Sequence, residues 1–105
     1  MSDAGPAIFG LGLIAPHVRR NSGDKSLARK FDEWRGRTLV GLATWNQPAD
    51  VLAYFGSKVD YVPRSRKFVF DIKSHRIIAM VDFPGRTLTI EAILTHREYD
   101  RNNWK

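Results

Sequence analysis

No cysteine occurs in the 105 residues. That absence excludes disulfides, thiol nucleophiles and cysteine-bound zinc, and nothing points to an oxidising compartment. Long apolar runs are also missing. The stretch from Ala7 to Ala15 is far shorter than a membrane span, which takes about 20 residues. Its flank carries Asp3 and no positive charge, unlike a secretory leader, so the expected location is cytoplasmic. Hydrolase signatures are lacking as well: there is no G-x-S-x-G, no H-E-x-x-H and no phosphate-binding Walker loop. His17, His75 and His96 stand far apart without metal-ligand spacing, so neither a metal nor another cofactor is expected. Negative charge is in the minority, with 11 Asp and Glu against 17 Lys and Arg, a formal charge of +6.

A basic chain rich in Arg, whose planar fork matches phosphate, carries the electrostatic footprint of a nucleic-acid binder. A hydrophobic share of 43% and a charged share of 27% suit one folded domain of this length, with neither repeats nor low-complexity segments. Residues 1 to 12 are small and Gly-rich, either a flexible end or a short leading strand. Pro16 to Arg20 leads into Asn21-Ser22-Gly23, a turn-like cluster that can also cap a helix. From Leu27 the residues Leu27, Phe31, Trp34, Thr38, Leu42 and Trp45 form one stripe at helical spacing. This helix is expected to break near Gly36 and to end before Pro48. Pro48 opens a second helix that offers Val51, Leu52 and Phe55 to the core and stops at Gly56.

The second half reads as strands. Lys67 to Lys73 alternates Phe68, Phe70 and Ile72 against Val69 and Asp71, and Arg76 to Phe83 is nearly all apolar. In Thr87 to Leu94, Leu88, Ile90, Ala92 and Leu94 alternate with Thr87, Thr89, Glu91 and Ile93. Ser74-His75 and Pro84-Gly85 are short enough for hairpin links, so the three strands form an antiparallel meander. Helices followed by consecutive strands make an α+β fold.

RNA can be cut without a metal, because its own 2′-hydroxyl is the nucleophile. The protein then needs a base, an acid for the leaving 5′-oxygen, and cations for the charged phosphorane. The end of the last strand, Leu94-Thr95-His96-Arg97-Glu98-Tyr99-Asp100-Arg101, supplies such groups. Glu98 and Asp100 are expected to be structural partners for nearby Arg. Arg64, Arg66 and Lys67 form a basic edge suited to RNA contact.

Three ordered motifs carry a family resemblance over about residues 27 to 101. Thr95-His96-x-Glu98-Tyr99-Asp100 closes the meander, Trp45-Asn46-Gln47-Pro48-Ala49-Asp50-Val51 opens the second helix, and Phe68-Val69-Phe70-Asp71-Ile72-Lys73 precedes Arg76. Together they resemble HigB-type toxins of the RelE-like family of ribosome-dependent mRNA endonucleases. The resemblance implies N-terminal helices packed on a mainly antiparallel sheet. It also implies metal-independent cleavage of mRNA on the ribosome and a cognate antitoxin of the HigA type, a helix-turn-helix protein. On this reading His96, Tyr99, Arg76 and Lys73 are catalytic, and Arg97, Arg64, Arg66 and Lys67 contact RNA. Two features depart from the family pattern. The turn Ser74-His75 is short, and Glu91 stands where an Arg is usual, which places a carboxylate near the phosphate site. The alternative is a catalytically weakened RNA-binding or antitoxin-binding module with the same fold. A DNA-binding protein is disfavoured, because no recognition helix is evident.

Overall fold

The computed structural model describes residues 5–101. Five strands, β1 (Ala7–Phe9), β2 (Val59–Val62), β3 (Lys67–Ile72), β4 (His75–Asp82) and β5 (Thr87–Thr95), form one sheet in the order β1-β5-β4-β3-β2. The β2–β3, β3–β4 and β4–β5 pairs are antiparallel, and β1 lies parallel to β5. Helices α1 (Ile14–Arg20), α2 (Leu27–Leu42) and α3 (Pro48–Phe55) precede β2, and a short α4 (His96–Asp100) follows β5. The α+β architecture with a central meander is as expected. The leading strand is realised as β1, while the first four residues of that stretch lie outside the described residues.

Helix α2 runs unbroken through Gly36, contrary to the expected break. Gly36 faces solvent, and its cost of about 1 kcal/mol is small beside the burial of Leu27, Phe31, Trp34 and Leu42. The helix ends at Leu42, before Pro48 as expected, but Trp45, the last residue of the expected stripe, lies beyond it. The Thr44 and Trp45 amides both return to the Gly41 carbonyl, at 2.8 and 2.9 Å. This folds the indole onto Gly41, where an added Cβ would sit 2.1 Å from Trp45 Cζ2. Only glycine fits there.

Pro16 to Arg20 are helical, and the expected turn at Asn21-Ser22-Gly23 follows them directly. Pro16 falls in the first turn of α1, where its missing N–H leaves no bond unmade. In α3, Val51 and Phe55 are buried but Leu52 is 37% exposed, so two of its three expected core residues serve.

On the sheet, Phe68, Phe70 and Ile72 of β3 share the core face with Ile77 and Ala79 of β4. The expected alternation in β5 holds only as far as Ile90. Ala79 pairs with Ile90 while its neighbour Ile78 pairs with Ala92, leaving Glu91 as the extra residue of a bulge. Beyond the bulge the phase reverses, and Ile93 rather than Ala92 joins the core cluster. The last turn of β5 is thereby re-aimed toward α4.

Candidate active site

Arg76 is the second residue of β4, directly opposite Asp71 on β3 and Leu94 on β5. Its side chain turns to the sheet face away from α2, where Nε donates to Asp71 Oδ1 at 3.1 Å. A second guanidinium nitrogen, Nη2, reaches His96 Nδ1 at 3.3 Å, and the carbon of the guanidinium lies 5.5 Å from the Tyr99 ring centroid. Nη1 donates to the His75 carbonyl at 3.0 Å.

His96 and Tyr99 arrive there because α4 is capped. The Thr95 amide donates to Glu98 Oε1 at 2.9 Å, and the Glu98 amide donates to Thr95 Oγ1 at 3.2 Å. This reciprocal box ends the strand and starts the helix, which puts His96 and Tyr99 three residues apart on one side. Glu98 therefore serves as a cap, not as a partner for Arg as expected. The backbone N–H of Thr95 holds its carboxyl below the usual range. Asp100 likewise pairs with His96, Nε2 to Oδ2, at 3.2 Å.

An arginine can only donate, so His96 Nδ1 accepts from Arg76 and the ring proton sits on Nε2, facing Asp100. Burial raises the Tyr99 phenol above its ordinary value, and Asp60 acts in the same direction against the opposing Arg76. Tyr99 thus remains a proton donor at neutral pH.

The other expected site residues are distributed differently. Lys73 has a positive φ of 57° at the β3–β4 turn, and its ammonium is engaged by Asp24 and by Ser26 Oγ in the α1–α2 connection. Its ammonium is thus committed to that connection, while its carbonyl lies 3.5 Å from Arg76 Nη1. Arg97 borders a shallow depression with Asn21, Asp24, His75 and His96. Arg64 and Arg66 are exposed in the β2–β3 turn, and Lys67 pairs with Glu91 at 3.0 Å across β4.

Sequence reasoning missed a buried pair. His17 of α1 and His75 of β4 meet in the interior, and His75 Nε2 lies 3.4 Å from Asp24 Oδ2. The lateral spacing held one signal, since His75 is in phase with the core residues Ile77 and Ala79. Its partner on α1 carried none. Among the described residues no group of three or more His, Asp and Glu could hold a metal ion.

The family model for the HigB toxin, the RelE-like toxic component of a toxin–antitoxin system, matches residues 29–102. The chain belongs to this family. As a RelE-like toxin it has a cognate antitoxin as its partner. No curated protein matches it. The match begins inside α2, so β1 and α1, including His17, lie outside the part that identifies it as a HigB-type toxin. No helix among the described residues is long and apolar enough to cross a membrane.

Proposed function

We propose that this HigB-type toxin is an mRNA interferase, a cytoplasmic endoribonuclease that cleaves mRNA on the ribosome without a metal. The observation that carries the reading is the convergence of Arg76 with His96 and Tyr99 where β4, β5 and α4 meet. A cation, an imidazole and a phenol within one side chain's reach are the groups that 2′-hydroxyl attack on phosphate demands.

His96, oriented by Asp100, takes the 2′-hydroxyl proton. Arg76 exchanges its contacts with Asp71 and His96 Nδ1 for phosphate oxygens, which frees Nδ1 to take that proton, and stabilises the extra negative charge of the phosphorane. Tyr99, kept protonated by burial, gives its proton to the departing 5′-oxygen and offers its ring to the exposed base. The products are a 2′,3′-cyclic phosphate and a free 5′-hydroxyl. Arg97, beside His96, and the Arg64, Arg66 and Lys67 edge contribute phosphate contacts to mRNA and the ribosome. Lys73 acts through the loop it holds, or enters the site only after leaving Asp24.

A HigA-type helix-turn-helix antitoxin neutralises the toxin. Induced expression in a bacterial host, with and without the antitoxin, tests the reading through growth and mRNA cleavage. The competing reading, a catalytically weakened binding module, draws on two carboxylates. Asp71 occupies the Arg76 guanidinium, and Glu91 holds Lys67. Growth arrest without any cut mRNA favours that module.

A further inference from the structure

Lys73 and Ser74 make the turn between β3 and β4, and with His75 they present three successive carbonyls. Each of these holds a residue of the candidate site. The Ser74 carbonyl accepts from the His96 amide at 2.8 Å. The carbonyls of Lys73 and His75 both accept from Arg76 Nη1, at 3.5 and 3.0 Å. Where this turn sits therefore decides where the guanidinium and the imidazole meet.

The turn is not held by its own preference. Lys73 stands at a φ of 57°, in the left-handed region that favours glycine in tight hairpin turns. Such a backbone persists only where its surroundings impose it. The Asp24 carboxylate supplies that constraint. One oxygen accepts from the Lys73 ammonium, which also donates to Ser26 Oγ at 2.8 Å, and the other lies 3.4 Å from His75 Nε2. Asp24 thus grips, through their side chains, the two residues whose carbonyls face Arg76. Its own backbone is fixed, since the Asp24 amide donates to the Asn21 carbonyl at 2.9 Å and its carbonyl accepts from Leu27 at 3.2 Å. Lys73 beside it holds the carboxyl below its ordinary value, so Asp24 is ionised at neutral pH.

We propose that Asp24 is a positioning residue of the nuclease site, which touches no substrate and acts by clamping the turn that sets Arg76 and His96. The effect on catalysis rests on the nuclease reading, whereas the clamp itself does not. The opposite role for the same contact is a lock, in which Asp24 withholds a Lys73 ammonium that would otherwise serve the reaction. The strained backbone favours the clamp, since withholding an ammonium requires no left-handed residue.

The test is Asp24→Asn, which keeps the volume and an acceptor for His75 but removes the charge. Two quantities are measured: hydrogen exchange of the His96 amide, and the rate of mRNA cleavage on programmed ribosomes at saturating toxin. In the variant the His96 amide exchanges several-fold faster while amides within α2 keep their rates. Cleavage slows by about tenfold with little change in the toxin concentration required, because misplacing a reacting group by about 1 Å can cost about 10²-fold. Adding Lys73→Gly to Asp24→Asn recovers most of the loss, since glycine adopts a positive φ without help. Ser26→Ala removes only the second acceptor of Lys73, gives a smaller change of the same sign, and decides the matter should Asp24→Asn fold poorly. Unchanged His96 exchange in these variants would overturn the clamp. So would cleavage by Asp24→Asn at or above the wild-type rate, or a further loss on adding Lys73→Gly, either of which marks the lock. Faster His96 exchange in a protein whose wild type cuts no mRNA supports the clamp and ends the nuclease reading.

Discussion

His17 and His75, 58 positions apart in the sequence, share a 2.8 Å hydrogen bond between Nε2 and Nδ1 with both rings buried. The direction of that bond follows from Asp24. His75 presents its Nε2–H to the carboxylate, which leaves Nδ1 to accept from His17 Nε2–H. His17 Nδ1 is then an unprotonated nitrogen, buried without a partner among the described residues. Burial holds the His17 pKa below its ordinary value, with further lowering by His75 and Arg20 that Glu98 opposes.

Acid should therefore loosen the fold. A lowered folded-state pKa means that the unfolded chain takes up the proton first, so stability is complete above about 6.5 and declines as pH falls below it. The slope contributed by one such group reaches at most about 1.4 kcal/mol per pH unit. Chemical denaturation between pH 7.5 and 5 should show this loss. In His17→Phe the midpoint should change much less across the same range; an equal pH dependence in the variant would remove His17 as its source.

The two glycines of α2 give opposite expectations. Gly36→Ala meets nothing within 4 Å and should stabilise the protein by up to about 1 kcal/mol through helix propensity. Gly41→Ala drives a methyl into the Trp45 ring and should cost about 1–3 kcal/mol despite the same gain. Melting curves of the two variants, measured side by side, check both signs.

Much of the fold was legible in the residues, because periodicity reports burial directly. The stripe from Leu27 to Leu42 and the alternation of Phe68, Phe70 and Ile72 both follow from side-chain geometry. The bulge at Glu91 was not legible. An inserted residue changes no residue type, and Ala92 and Leu94 are as apolar as the Ile93 that replaces them in the core. Strand β2 was missed because four residues with Asp60 among them carry little pattern. In the site, His96 and Tyr99 were visible from the motif, as was Arg76. The role of Glu98 was not, since a capping box depends on where the strand stops.

Thr95→Ala should act on the site more than on the fold. Losing this cap costs about 1 kcal/mol, concentrated in α4, which carries both His96 and Tyr99. Toxicity should fall clearly while the melting temperature moves by only a few degrees. Growth assays paired with thermal unfolding distinguish this from general destabilisation.

Glu91 pairs with Lys67, not Arg76, so neutralising it should take one negative charge off this basic edge without disturbing the guanidinium. Glu91→Gln should raise RNA affinity at low salt and steepen its salt dependence, with a stability change below about 1 kcal/mol for so accessible a pair. Unchanged affinity across a salt series would show that Lys67 takes no part in RNA binding.

The central claim is that His96, set between Arg76 and Asp100, moves a proton during mRNA cleavage. Its most direct measurement is primer extension on mRNA held by programmed ribosomes, comparing the wild-type toxin with His96→Ala at equal folded concentration. The account predicts discrete cuts in the wild-type reaction and a loss of about 10²-fold or more in the variant, the scale of a general acid–base contribution. Cleavage by His96→Ala at the wild-type rate would contradict it.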